Sequence, residues 1–122
     1  MTGWSVDQLD RIGAADELAL AARRPDGTLK RAVTIWVVRV GDEIYVRSYR
    51  GPEGRWYRAA SARPTGHIAS GGIERDVRFV KAQPDIAEAI DAAYREKYAR
   101  FPAYVEPMLT DQARATTLRL VP

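Results

Sequence analysis

A chain of 122 residues that is 46% hydrophobic and 29% charged has the material for one small core, and it is expected to form a single domain over 1–122. Zero cysteines and one histidine exclude a disulfide framework, thiolate catalysis and any Cys- or His-rich metal centre. A net charge of +3 gives little reach toward nucleic acid; no apolar run approaches the roughly 20 residues of a membrane helix, and the start MTGWSVDQLDR lacks a leader pattern, so a cytoplasmic chain without a membrane partner is expected.

Ser5 followed by Gln8 matches a capping box, and Val6, Leu9 and Ile12 share one helical stripe, which predicts a helix over 6–12. Leu18 and Leu20 alternate within a strand near 17–23. Pro25, Asp26 and Gly27 then turn the chain into LKRAVTIWVVRV, a strand over about 30–40. Gly41 and Asp42 separate that run from EIYVRSY at 43–49, the signature of an antiparallel hairpin. The stretch 47–63 carries turn formers at both ends and helix formers between them, so it reads as a long connection holding a helical turn.

Gly71 and Gly72 mark a second tight hairpin. Its outgoing strand, Glu74 to Lys81, sets Val77 and Phe79 on one face and Asp76, Arg78 and Val80 on the other. Pro84 opens the clearest helix, in which Ile86, Ile90, Ala93, Tyr94, Lys97 and Tyr98 recur at spacings of three and four until Phe101 and Pro102. AYVEPMLTDQARA is irregular or briefly helical, and TTLRLVP is a closing strand. Five or six hairpin-linked strands and two clear helices predict a mainly β, α+β fold: a small antiparallel barrel with helices on its outside.

The chemistry concentrates between Arg47 and Arg63, where five arginines face the single acid Glu53. Arginine presents a fork of donors that fits phosphate, and Gly51 and Gly54 let backbone approach an anion. Trp56 and Tyr57 add flat stacking surfaces. The competing reading is a solvated loop with Trp56 packed on the barrel. Trp36, on a face shared with Thr34 and Val38, reads as core unless its neighbours open a cleft. His67 is titratable near neutrality, but no GxSxG elbow accompanies it, so a structural role is expected. Tyr94 and Tyr98 are expected to pack on the barrel with Lys97 partly covering them, and Asp85, Glu88 and Asp91 to lie toward solvent.

The segment RAVTIWVVRVGDEIYVRSYRGPEGRWYRAASARPTGHIA joins an apolar-aromatic strand, a Gly-Asp hairpin, an IYVRS strand, a basic loop with Trp and a strand with Gly-His. This resembles the flavin-binding split barrels, among them the pyridoxamine-phosphate-oxidase-like proteins and the deazaflavin-dependent nitroreductases, over about Arg31 to Phe79. With the early Trp, the GRW segment and the late YREKY helix, nearly the whole chain is similar to a small bacterial family of this length. The resemblance implies a split barrel holding FMN or a deazaflavin coenzyme and no metal. Arg47, Ser48, Arg55 and Arg58 would serve the phosphate, Thr34 and Trp36 would lie beside the ring system, and Trp56 offers a stacking face. It further implies a homodimer and a small-molecule oxidoreductase. The alternative is a non-catalytic nucleotide- or flavin-binding or dimerising module in which Trp36, Trp56 and Tyr49 fill the groove.

Overall fold

The computed structural model describes residues 3–122. The first helix, α1 (Val6–Ala14), begins with the expected capping box: the Gln8 amide donates to Ser5 Oγ at 3.1 Å and the Ser5 amide donates to Gln8 Oε1 at 2.9 Å. Its apolar stripe buries Leu9 and Ile12. The strands follow as β1 (Leu18–Ala22), β2 (Val33–Ile35), β3 (Val38–Val40) and β4 (Glu43–Val46). After helix α2 (Arg55–Ala62) come β5 (Thr65–Ser70) and β6 (Ile73–Lys81). Helix α3 (Ala87–Lys97), the short helices α4 (Pro102–Val105) and α5 (Asp111–Arg114), and β7 (Leu118–Val121) complete the chain.

All seven strands form one antiparallel sheet in the order β2-β1-β5-β6-β7-β4-β3, curled into a half-barrel. Its two terminal strands are consecutive in sequence. The single strand expected over 30–40 is broken at Trp36 and Val37, and this break carries the chain from one end of the sheet to the other. The peptide groups exposed by the break find side-chain partners: the Val37 amide donates to Tyr98 Oη at 3.1 Å, and Lys97 Nζ donates to the Val37 carbonyl at 2.7 Å. The Tyr98 hydroxyl also lies 2.8 Å from the Asp16 carbonyl and 3.1 Å from that of Val37, and its one proton serves one of them at a time. The break thus raises the strand count above the expected five or six.

Gly71 and Gly72 turn the β5–β6 hairpin with φ of +59° and +83°, the left-handed pair that a tight hairpin with right-handed twist requires. The concave face of the sheet encloses Leu18, Leu20, Ile44, Ile68, Phe79 and Leu120, which α1 closes with Leu9 and Ile12. A second apolar layer lies outside, where α3 sets Ile90, Tyr94 and Tyr98 against Val38 and Tyr45. Tyr94 and Tyr98 therefore pack on the barrel as the spacing predicts, and Lys97 sits 5.4 Å above the Tyr98 ring. The helical turn expected within 47–63 is the eight-residue α2. The tail after Phe101 is a series of single helical turns, consistent with the brief helix expected there.

Candidate functional site: an aromatic cleft beside a basic depression

Two depressions follow one another along the β1–β2 hairpin. The register pairs Leu18 with Ile35 and Leu20 with Val33, so the hairpin has an open end near Glu17 and Trp36 and a turn end near Arg24 and Lys30. At the open end lies a cleft of about 520 Å³, within the usual range for small-molecule sites. Thr34, Trp36, Tyr49, Trp56, Phe101 and Tyr104 line it, with Glu17 at its edge and Arg47 in its floor. Trp36, Trp56 and Tyr49 line this groove and leave an open cleft between them.

Trp36 is held by stacking on Tyr98, with ring centroids 3.8 Å apart and planes within 5°. Burial drives the Tyr98 phenol up to about 12, which keeps it neutral and able to bridge the strand break. Burial also lowers the neighbouring Lys97 ammonium to about 8.

Arg47 departs from its expected role. Its side chain has 0% exposure, and its guanidinium donates to Asp91 Oδ1 at 2.5 Å, to Thr117 Oγ1 at 2.8 Å, to the Met108 carbonyl at 2.9 Å and to the Ala87 carbonyl at 3.3 Å. Asp91 is correspondingly 2% exposed and not on the solvent side of α3; it also binds Arg114. A buried charge is tolerated only when paired and hydrogen-bonded, and Arg47 is committed to that task. Ser48 is buried as well. Its amide donates to Thr116 Oγ1, while its hydroxyl, against the Gly54 backbone at the start of α2, has no partner among the described residues.

The remaining candidates separate cleanly. Thr34, Trp36 and Trp56 line the cleft; Arg55 lies in the second depression; Arg58 is exposed on α2 and lines neither. His67 stays on the outer hairpin, 3.0 Å from Asp76 and 3.2 Å from Glu74, away from the cleft. Hydrogen bonds to Asp76 and then Glu74 hold its imidazolium above the ordinary histidine range.

The second depression, at the turn end, is lined by Arg24, Lys30, Arg31 and Arg55 around Leu20, Val33 and Trp56, with no acid among its lining residues. Arg24 is tied to the turn through Thr28 and the Leu29 carbonyl. Lys30, Arg31 and Arg55 form no salt bridge among the described residues. Trp56 lines both depressions and joins them. Unpaired cations at one end and flat rings at the other fit a ligand with a phosphate and a ring system. Sequence reasoning missed Arg24, Lys30 and Arg31, although RRPDGTLKR sets basic residues on both flanks of a turn, which a hairpin necessarily brings together. Phe101 and Tyr104 carried no such signal, because only the α3–α4 corner delivers them to β2.

Among the described residues no helix is long and apolar enough to cross a membrane, and no cluster of three or more His, Asp or Glu residues could hold a metal. No curated protein shows a significant sequence match. Solved structures do share the fold. An F420-H2-dependent reductase, FDR-A, superposes with a TM-score of 0.64 at 18% identity, covering 88% of this chain and 94% of its own. An FAD-binding protein from Mesorhizobium loti gives 0.58 at 14% identity, covering 97% and 88%. A structure described as a domain-swapped dimer gives 0.64 at 18% identity, covering 88% and 80%. At these identities the likeness is one of fold. The family model described as an uncharacterized protein conserved in bacteria, DUF2255, matches residues 8–120, and with that near-complete span the chain belongs to the DUF2255 family.

Proposed function

We propose that the protein binds a flavin or deazaflavin coenzyme across Trp56 and serves electron transfer to a small molecule. The observation that carries this reading is the aromatic cleft joined through one tryptophan to a depression of unpaired cations. Lys30, Arg31 and Arg55 would hold the phosphate, and Thr34, Trp36 and Trp56 would flank the ring system. Arg47 is left out of the phosphate set because its donors are spent on Asp91, Thr117 and two carbonyls. When bound, the coenzyme supplies hydride or electron transfer; the chain supplies binding, orientation and exclusion of water, so no side-chain nucleophile is needed.

The test is titration of the purified chain with FMN and with the deazaflavin coenzyme, followed by quenching of tryptophan fluorescence. Saturable quenching by either is expected, and so is an affinity about tenfold weaker in an Arg31→Ala, Arg55→Ala double variant. No quenching by either would reject the reading. A homodimer is part of the proposal: Val33 on the terminal strand and Tyr104 at the cleft mouth are exposed apolar surface, and light scattering should give twice the chain mass.

A further inference from the structure

The end of the cleft away from the basic depression has a different chemistry. Tyr49, Phe101 and Tyr104 are 53%, 39% and 58% exposed there, unusual values for large rings on a small domain. Glu17, the residue just before β1, enters among them as part of the cleft lining. Its exposed carboxylate forms no salt bridge among the described residues, whereas the adjacent Asp16 is engaged by Arg100 at 3.1 Å. The other charged residue of the lining, Arg47, is buried against Asp91 and offers no free charge. The rings already attract the chain's own cations, since the Arg100 guanidinium lies 4.9 Å over Phe101. Aromatic faces carry negative potential, and rings gathered around an unpaired carboxylate favour a cation and repel an anion.

We infer that the Glu17 end of the cleft binds an organic cation of the aryl- or alkylammonium class, with Glu17 as its counter-charge and Trp36, Tyr49, Phe101 and Tyr104 as its walls. The two ends of the hairpin then sort charge along one continuous surface, with anion at Arg31 and Arg55 and cation at Glu17. The inference rests on the proposed coenzyme only in casting the cation as the substrate beside it; the site itself needs no coenzyme.

The experiment measures binding of phenyltrimethylammonium, its uncharged shape twin tert-butylbenzene, and benzenesulfonate to the full chain by calorimetry, with FMN titrated in parallel. The cation is expected to bind saturably, the sulfonate not at all, and the uncharged twin more weakly. Glu17→Gln should weaken the cation about fivefold or more, with FMN affinity and the thermal midpoint unchanged because the residue is exposed. Tyr104→Leu should weaken it too while leaving Glu17 in place. Equal binding of sulfonate and cation, or an unchanged cation affinity in Glu17→Gln, overturns the inference. A dimer that binds none of the probes also overturns it, with a second copy as the occupant. Absence of FMN binding beside intact cation binding removes the coenzyme and leaves this site standing.

Discussion

Arg47 and Arg31 sit at comparable places, Arg47 just after β4 and ahead of a basic, glycine-containing turn, Arg31 just before β2 and behind one, yet their surroundings are opposite. Arg47 is buried, with its donors distributed over a carboxylate, a hydroxyl and two carbonyls, and it ties β4 to α3 and the tail before β7. Arg31 and its neighbour Arg55 remain in contact with water and keep their charge available to a ligand. An arginine's role therefore follows from who shares its desolvation, not from the local density of positive charge.

The strongest way to break this contrast is Arg47→Met. It should leave Asp91 with only Arg114 and cost about 3–5 kcal/mol in urea unfolding, with much of that recovered in the double variant Arg47→Met, Asp91→Leu. A variant of native stability that had lost FMN binding would reverse the roles assigned to the two arginines. Tyr98→Phe comes next. It removes the hydroxyl shared by Val37 and Asp16, and the stability loss should be about 1–3 kcal/mol, with increased amide exchange at Val37.

On the exposed side, Arg31→Ala with Arg55→Ala should leave the unfolding midpoint unchanged while coenzyme affinity falls about tenfold, equivalent to about 1.4 kcal/mol, with a shallower salt dependence. The smallest effect belongs to His67. Its folded-state pKa is raised by Asp76 and Glu74, so its contribution is complete below the unfolded value near 6.5 and is lost as pH rises through the folded value. The stability difference between the wild type and His67→Gln should shrink from pH 6 toward alkaline pH; a difference that grew instead would place the imidazole in another environment.

The elements were legible where local rules operate. The capping box at Ser5, Gly41 and the Gly71–Gly72 pair at the hairpins, the alternation of Val77 and Phe79 and the α3 stripe each depend on residues within a few positions of one another. The split of 30–40 into β2 and β3 was not legible, because the reason for it is Tyr98, 61 positions away from Val37. For the same cause Asp91 reads as one more surface acid on α3 until Arg47, 44 positions earlier, is brought over it. The flat half of the site was partly visible in Trp36 and Trp56. Within 47–63 the buried Arg47 and the exposed Arg55 read alike, since counting charges in a window cannot separate a buried cation from a solvated one.

By itself the sequence determined the antiparallel strands, their hairpins and the packing helix, because period, turn chemistry and side-chain type are local properties. Which arginines remain free, which ring faces open into a cleft and where Glu17 meets them were decided only by tertiary structure. Burial and ion pairing are set by residues that share space without sharing sequence, and the curl of the sheet, with β2 and β3 at its two ends, is what brings them together.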